Sequence, residues 1–192
     1  MNTGFQLKKD FPSLKPFVGH WALVTGASSG IGRAYALSLA ENGMNVVLVG
    51  RRRKELELLA REFPNGARSF IISTDLTQPT AVKNLYKTVF DAGIRLRFLC
   101  HSAGAGFWGA FTQGPASLYA DMIALHVSAT MDLCLAFHDD LASHPTSAVV
   151  ILSSLAGHHA VPTMAAYAAT KSAQLSMALA LFSEWEPAGI YV

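Results

Sequence analysis

Residues 25–32 read TGASSGIG, and this stretch decides the fold of the chain. It follows a short apolar run, 21–25, and opens a segment with apolar residues at helical spacing, 31–42. Gly26 allows a sharp turn, Gly30 removes a side chain where a phosphate must approach, and Gly32 permits close helix–strand packing. The spacing is GxxxGxG, and no Lys-Ser/Thr pair follows as in a P-loop. We therefore expect an anion-binding turn at a helix N-terminus, rather than a turn whose glycines are only structural.

Outward from this turn, apolar runs and helical patterns alternate along the chain. Buried strands are predicted at 21–25, 45–49, 68–73, 96–100 and 148–152, with the start of a sixth at 190–192. Helices are predicted at 31–42, 54–63, 79–93, 117–141 and 165–186. Connections of this length force parallel pairing with right-handed crossovers. We expect an α/β fold, a doubly wound parallel sheet in three α/β/α layers, with its ligand crevice at the carboxyl ends of the strands.

Length and composition indicate a single globular domain, with residues 1–20 as an N-terminal extension and 21–192 as the dinucleotide-binding domain. Of the 192 residues, 51% are hydrophobic and 15% charged, which argues against disorder. No uninterrupted apolar run reaches the roughly 18 residues of a membrane helix, so no membrane span is expected. The first twenty residues lack the apolar core of a signal peptide, which predicts a cytoplasmic protein. A net charge of +2 gives no reason to expect a nucleic acid partner.

The cysteines and histidines do not follow a metal-ligand pattern. Cys100 and Cys134 lie in apolar surroundings without CxxC spacing, so we expect reduced, buried thiols. His158 and His159 are adjacent, and neighbouring side chains on an extended segment point to opposite sides. No metal site is expected.

The end of the second strand indicates the cofactor. In dinucleotide folds an acidic residue here bonds the ribose hydroxyl of NAD, whereas arginine accommodates the 2′-phosphate of NADP. Gly50 stands in the place of the acid, and Arg51, Arg52 and Arg53 follow. Positive charges at a helix N-terminus oppose its dipole, and an anionic ligand would explain them better than a solvated charged face. We expect NADP(H), with its phosphate at Arg51 and Arg52.

A tyrosine and a lysine stand one helical turn apart in YAATK, residues 167–171. A phenol with its usual pKa near 10 is a poor acid or base at neutral pH, but a neighbouring ammonium favours the phenolate. Tyr167 and Lys171 are therefore candidates for proton transfer. Ser154 lies thirteen residues upstream of Tyr167, just past the fifth strand.

These motifs resemble the short-chain dehydrogenase/reductase family, NADP-preferring branch, and the resemblance extends from about Trp21 to the last residue. It implies that Ser154 hydrogen-bonds the substrate oxygen, that Tyr167 exchanges the proton, and that Lys171 holds the nicotinamide ribose. It also implies that Asp75 accepts from the adenine amino group, although a helix-capping Asp is the alternative. The cofactor-binding residues implied are Gly26, Ser28, Ser29, Gly30, Ile31, Gly32, Arg51, Arg52, Asp75, Leu76, Ala103, Gly104, Tyr167 and Lys171.

The resemblance implies an oxidoreductase that moves a hydride between NADP(H) and a carbonyl or alcohol carbon. Phe107, Trp108 and Phe111 would form a substrate wall suited to an apolar carbonyl compound, although core packing explains the same residues. A homodimer through the helices 117–141 and 165–186 is expected, because both are rich in Leu, Met and Ala on more than one face.

Three departures from the family pattern carry expectations of their own. His101 and Ser102 replace two asparagines after the fourth strand, which puts the sheet-bracing hydrogen bonds in doubt. His126 occupies the place of an asparagine in the proton relay, and it either substitutes for that residue or is inert packing. The sequence stops at Val192, before the last elements of the family fold, so we expect a truncated chain or fragment, or a degraded copy. The alternative function is therefore a relic that binds cofactor or a partner without turnover.

Overall fold

The sheet has six parallel strands in the order β3-β2-β1-β4-β5-β6, as the alternation predicts. The structure, a computed structural model, describes residues 14–64 and 66–192. The chain adds β2 and β3 on one side of β1 and then β4, β5 and β6 on the other side. The direction of the strand order therefore reverses between β1 and β4, and the crevice opens at the carboxyl ends of these two strands. The strand bounds are β1 Trp21–Thr25, β2 Asn45–Gly50, β3 Ser69–Ser73, β4 Leu96–His101, β5 Ser147–Ile151 and β6 Ile190–Tyr191.

Helices cover both faces of the sheet. The predicted 117–141 helix is one continuous helical rod, Ala116–Ala142, but a π-helical turn at Ala124–Ser128 interrupts its α-helical hydrogen bonding. Such turns widen the helix locally and often mark functional sites. The α-helical bounds are α1 Gly30–Glu41, α2 Arg53–Arg61, α3 Ala81–Asp91, α4 Ala116–Ile123, α5 Ala129–Ala142 and α6 Ala165–Trp185.

Two apolar cores form, one on each face of the sheet. Alternate residues of a strand point to opposite faces, and a sheet covered on both sides needs apolar residues at every position. In β1, Leu23 packs into the core beneath α3 and α5, whereas Ala22 and Val24 pack into the core beneath α1 and α2. This arrangement explains apolar runs such as residues 46–49.

The described part of the predicted N-terminal extension packs onto the domain. Residues 1–13 lie outside the described residues. Phe17, in the short 3₁₀ helix Lys15–Phe17, is fully buried, and its ring meets Phe98 edge-to-face at 5.9 Å. The Arg97 guanidinium lies 5.3 Å from the Phe17 ring and donates to the carbonyl of Pro16. Residues 14–20 therefore cover an edge of the core that 21–192 forms.

The rod Ala116–Ala142 is long and apolar enough to cross a membrane by length and composition, although charged and polar residues interrupt its apolar run in the sequence. Its α5 part contributes Leu133, Phe137 and Leu141 to the core under the sheet, where all three are fully buried. The apolar character of this part of the rod is explained by packing against β4 and β5.

Candidate active site

One large cleft lies where the carboxyl ends of β1, β2, β4 and β5 meet. Its volume is about 880 Å³, within the range of small-molecule and cofactor sites. Gly30, Gly32 and Ser154 are not among its lining residues. The lining includes these predicted site residues: Gly26, Ser28, Ser29, Ile31, Arg51, Arg52, Asp75, Leu76, Ala103, Gly104, Tyr167 and Lys171.

The glycine loop forms one wall of the cleft, and two of its three glycines, Gly26 and Gly32, meet separate steric demands. Gly26 has φ +67°, and a Cβ there would lie 2.9 Å from the backbone of Ala103. A Cβ at Gly32 would lie 2.6 Å from the Gly26 carbonyl oxygen. Gly30 has φ +56° and faces open space. The side chain of Ser29, which precedes α1, makes no capping hydrogen bond, so the loop offers an open cradle for an anion at the helix N-terminus.

Two arginines stand beside this loop. The Arg52 guanidinium donates to the Ser28 carbonyl oxygen at 3.2 Å and to the Ser28 hydroxyl at 3.1 Å. Arg51 is exposed and lines the cleft, and its carbonyl accepts from the Ser73 hydroxyl. The sequence pattern emphasises Arg51, but Arg52 is the residue that contacts the loop. The positive charge of Arg52 thus lies at the glycine loop, and Arg51 adds a second arginine to the lining of the same cleft.

Asp75 closes a turn of its own. One carboxylate oxygen accepts from the Thr77 amide at 3.0 Å and from the Thr77 hydroxyl at 2.9 Å. The residue preceding α3 is Thr80, so the helix-capping alternative for Asp75 is not what the structure shows. Asp75 and Leu76 line the cleft, and their adenine contact stays a prediction.

His101 preserves the bracing between β1 and β4 that the loss of two asparagines had put in doubt. Its Nδ1 lies 2.8 Å from the Thr25 hydroxyl, and its Nε2–H donates to the Leu125 carbonyl at 3.1 Å. The Thr25 oxygen also accepts from the amides of Ser102 and Ala103. Because Leu125 O can only accept, Nδ1 must be the acceptor for the Thr25 hydroxyl. Burial lowers the pKa of His101 to about 4, so the ring is neutral.

His126 is also buried, and both of its ring nitrogens have fixed partners. Nε2 accepts from the Ala105 amide at 3.0 Å, which leaves Nδ1–H to donate to the Thr170 hydroxyl at 2.8 Å. The ring packs edge-to-face against Tyr167, with centroids 5.8 Å apart. Burial, together with the nearby Lys171, lowers the pKa of His126 to about 3. Of the two alternatives, this geometry favours inert, neutral packing that positions Tyr167.

Lys171 is almost fully buried on α6, one turn after Tyr167. Its ammonium donates to the Leu152 carbonyl at 2.7 Å and to the Gln174 side-chain oxygen at 2.8 Å. It lies 5.8 Å from the centroid of the Tyr167 ring. Burial lowers the pKa of Lys171 to about 8, since desolvation disfavours the cation. The site therefore holds a cation beside the phenol, as proton transfer by a tyrosine requires.

Two serines follow β5 and have different partners. The Ser154 oxygen accepts from the Ala156 amide at 3.2 Å, so its hydroxyl hydrogen is not used in that bond. Ser153, which lines the cleft, donates its hydroxyl to the Lys171 carbonyl at 2.8 Å. Ser153 thus fastens β5 to α6, and the substrate contact of Ser154 stays a prediction.

The predicted aromatic wall divides into two parts. Phe107 and Trp108 line the cleft, and Trp108 is 76% exposed. Phe111 instead stacks on Tyr119 with ring centroids 4.9 Å apart, away from the lining of the large cleft. The loop that carries Phe107 and Trp108 is tied to the opposite rim, because the Gly109 amide donates to the Thr163 carbonyl at 2.9 Å.

The cysteines are buried, as predicted, and burial raises the pKa of each thiol to about 12. Both are therefore unreactive at neutral pH. His158 and His159 are exposed, and their rings lie 6.2 Å apart. Within residues 14–64 and 66–192, no cluster of three or more His, Cys, Asp or Glu side chains could hold a metal ion.

Sequence reasoning missed the polar residues behind Lys171. Thr130 and Gln174 are fully buried and are hydrogen-bonded to each other. Gln174 also bonds to Lys171, and Thr130 also bonds to the carbonyl of His126. The signal in the sequence was a glutamine three residues after Lys171, since residues three apart on a helix share a face. Its partner Thr130 lies 44 residues away, beyond the reach of local patterns.

The family of the chain follows from comparison with known proteins. Residues 20–192 match the family described as short chain dehydrogenase. The chain belongs to this family. This match confirms the resemblance seen in the glycine loop and in YAATK. The members of the family are oxidoreductases that use nicotinamide cofactors and act on alcohol or ketone groups.

Individual relatives show how much of a family member this sequence spans. It is 31% identical over 184 residues to a 7beta-hydroxysteroid dehydrogenase of Collinsella aerofaciens, covering 94% of this chain and 68% of that protein. It is 29% identical to a very-long-chain 3-oxoacyl-CoA reductase of Pyrenophora tritici-repentis, covering 91% of this chain and 53% of that protein. A short-chain dehydrogenase from Sphingobium yanoikuyae in complex with NADPH superposes with a TM-score of 0.83 at 33% identity. The superposition covers 90% of this chain and 68% of that chain. The chain thus spans between about half and two thirds of these three proteins.

Proposed function

We propose that this chain is the NADP(H)-binding and proton-transferring part of an oxidoreductase that interconverts a carbonyl compound and its alcohol. The observation that carries the proposal is the large cleft, which has Arg51 and Arg52 at one end and Tyr167 with Lys171 at the other. When bound, the nicotinamide supplies or accepts the hydride.

The residues of the chain divide the remaining work between binding and proton transfer. The glycine loop and the N-terminus of α1 bind the pyrophosphate, and Lys171 holds the nicotinamide ribose. In the reducing direction Tyr167 gives its phenolic proton to the carbonyl oxygen, and the nearby ammonium stabilises the phenolate that remains. Ser154 keeps a hydroxyl hydrogen to donate to the same oxygen.

NADP(H) is proposed over NAD(H) because of the charges at the end of β2. Gly50 leaves room beside the Ser28 hydroxyl, where a Cβ would meet oxygen at 3.4 Å, and no carboxylate stands at that position. Arg51 and Arg52 supply charge-assisted donors for the 2′-phosphate. The NADPH complex of the Sphingobium relative supports the same choice.

The proposed substrate is an apolar carbonyl compound. Phe107, Trp108 and Met164 line the catalytic end of the cleft, and Leu155 beside Ser154 is 86% exposed. The steroid and very-long-chain acyl names of the two relatives support an apolar substrate. We also propose a homodimer through the helices 117–141 and 165–186, here the α4–α5 rod and α6.

Calorimetric titration with NADPH and NADH tests the cofactor assignment directly. We expect NADPH to bind about tenfold to a hundredfold more tightly, since each charge-assisted contact contributes roughly 1.5–3 kcal/mol. Arg51→Ala and Arg52→Ala should each reduce this preference, whereas Arg61→Ala, an exposed arginine at the end of α2, should leave it unchanged. Equal affinities for the two cofactors would remove the basis for NADP(H).

Cofactor binding without turnover is the second candidate function. It is favoured by His126, whose ring nitrogens are both committed to Ala105 and Thr170, so this ring offers no free group for a relay. Oxidation of NADPH with a panel of apolar ketones and aldehydes separates the two functions. The panel should be tested on this chain and on any longer natural form that contains it.

A further inference from the structure

A chain of buried hydrogen bonds links the Lys171 ammonium to the π-helical turn of the α4–α5 rod. Gln174 accepts from Lys171 at 2.8 Å, and its amide nitrogen donates to the Thr130 hydroxyl at 3.0 Å. Thr130 in turn donates its hydroxyl hydrogen to the carbonyl of His126. Lys171, Gln174 and Thr130 are 4%, 1% and 0% exposed.

The direction of every bond in this chain is fixed. An ammonium and a carbonyl stand at its two ends, and an ammonium can only donate whereas a carbonyl can only accept. Gln174 must therefore present its oxygen to Lys171 and its nitrogen to Thr130, which excludes the flipped amide. The negative end of the amide dipole faces the cation.

This orientation opposes the effect of burial. Desolvation favours the neutral amine of Lys171, whereas an acceptor oxygen at hydrogen-bond distance favours the ammonium. The other titratable groups around the ammonium are Tyr167, His101 on β4 and His126 in the π-helical turn. Both histidines are neutral, so they add no positive charge that would repel the ammonium.

The bonds also fix the place of the ammonium. Of its three N–H groups, one donates to Leu152 and one to Gln174, so one remains for the cleft that Lys171 lines. We propose that Gln174, held in turn by Thr130, is a positioning residue that keeps Lys171 charged and directs its remaining N–H into the cleft. The effect of Gln174 on cofactor binding rests on the proposed function, whereas its effect on the Lys171 ammonium does not.

Titration of Lys171 itself tests the inference without an activity assay. The chain is labelled with lysine carrying ¹³C at Cε, the Lys171 signal is assigned by its loss in Lys171→Met, and its shift is followed against pH. Gln174→Met keeps the length of the side chain and removes the acceptor, so the midpoint should fall by about one to two pH units. Gln174→Glu places a carboxylate at the ammonium, so the midpoint should rise. Thr130→Val removes the partner of the Gln174 amide nitrogen, so it should lower the Lys171 midpoint by a smaller amount than Gln174→Met does.

Opposite shifts in Gln174→Met and Gln174→Glu would not result from general loosening of the core. Gln78→Met, at an exposed glutamine, is the matched control and should leave the Lys171 midpoint unchanged. An unchanged midpoint in Gln174→Met with intact circular dichroism would overturn the proposal. If Gln174→Met does not fold, the Gln174→Glu variant tests the proposal alone. An unchanged or lowered Lys171 midpoint in Gln174→Glu would then contradict the proposal.

NADPH calorimetry on the same variants separates this inference from the proposed function. At pH 7 we expect Gln174→Met to bind NADPH more weakly and Gln78→Met to bind it as the wild type does. If the wild type itself fails to bind while the Lys171 midpoint shifts as expected, the proposed function fails and the role of Gln174 stands. If the wild type binds NADPH but the midpoint does not shift, the role of Gln174 fails and the proposed function stands.

Discussion

At the scale of single residues, two buried histidines show how one side-chain type meets opposite demands. His101 accepts at Nδ1 and donates at Nε2, whereas His126 donates at Nδ1 and accepts at Nε2. The partner in each case fixes the tautomer: a carbonyl for His101 and an amide for His126. Neither ring can take a second proton without losing a hydrogen bond, so both act in their neutral form.

The histidines make stability depend on pH. Their pKa values fall from an ordinary 6.5 to about 4 for His101 and about 3 for His126. Between these values and 6.5 the unfolded chain binds more protons than the native one, so the free energy of unfolding must rise with pH. We expect a loss on the order of a few kcal/mol as pH falls from 6.5 to 4. Urea unfolding at half-unit pH intervals measures this loss.

Variants assign that pH dependence to particular rings. His126→Asn removes one of the two fully buried rings and should flatten the dependence between pH 6.5 and 4. His158→Asn, at an exposed histidine, should not change it. A wild-type stability that stays constant down to pH 4.5 would contradict the buried, neutral assignment.

Tyr167 is the residue on which the proposed chemistry depends. Tyr167→Phe should lower turnover by 10²–10⁴-fold, the usual contribution of general acid catalysis, while NADPH affinity stays nearly unchanged. Lys171→Ala should reduce both, because in the proposed function its ammonium serves the ribose as well as the phenol. Steady-state rates and calorimetry on the same preparations measure the two effects. A Tyr167→Phe enzyme with near-normal rates would exclude this mechanism.

At the scale of elements, the glycine loop couples folding to binding. A Cβ at Gly32 would approach the Gly26 carbonyl to 2.6 Å, and neither backbone can move without displacing β1 or α1. Gly32→Ala should therefore lower the free energy of unfolding by about 1–3 kcal/mol and weaken NADPH binding. Gly106→Ala, whose Cβ would meet the Tyr167 ring at an ordinary 3.5 Å, is the matched control. Equal denaturation midpoints for the two variants would argue against this steric role.

Local patterns predicted the elements well because the sheet is covered on both faces. The strands are largely apolar, as at residues 46–49 of β2, and each helix begins or ends near a glycine, proline or polar cluster. The π-helical turn at Ala124–Ser128 was not predicted, because ALHVS contains neither proline nor glycine to mark it. The turn shows only in three dimensions, where it carries the His126 side chain to Ala105 and Thr170.

The same reasoning located the cleft but not its hydrogen bonds. Motif spacing was enough to predict that the glycine loop, Arg51, Tyr167 and Lys171 come together, because each belongs to a short local pattern, and all of them contribute to the lining of one cleft. The partners of the His101 and Lys171 side chains lie on other elements, between 19 and 76 residues away, apart from Gln174 on the same helix. Which neutral form a histidine takes, or which end of an amide faces a cation, depends on those distant groups.

At the scale of the whole molecule, α5 and α6 present an apolar surface side by side. Their ends meet where His138 packs against Trp185, with ring centroids 5.2 Å apart. Met131 and Leu135 on α5 and Leu179 on α6 are 47%, 74% and 51% exposed. Exposed apolar side chains grouped on neighbouring helices are typical of an interface between subunits. A second copy of the chain, related by a twofold axis, would cover them with the same surface.

We therefore expect a dimer in light scattering at micromolar concentration, and Leu135 provides its sharpest test. Leu135→Glu buries a charge in the proposed interface and should yield monomers with an unchanged circular dichroism spectrum, because the native side chain already faces solvent within one subunit. Leu58→Glu, at a leucine 52% exposed on α2, adds the same charge elsewhere and should leave the dimer intact. A wild-type chain that is a monodisperse monomer would contradict the dimer, and a Leu135→Glu chain that remains dimeric would place the interface on another face.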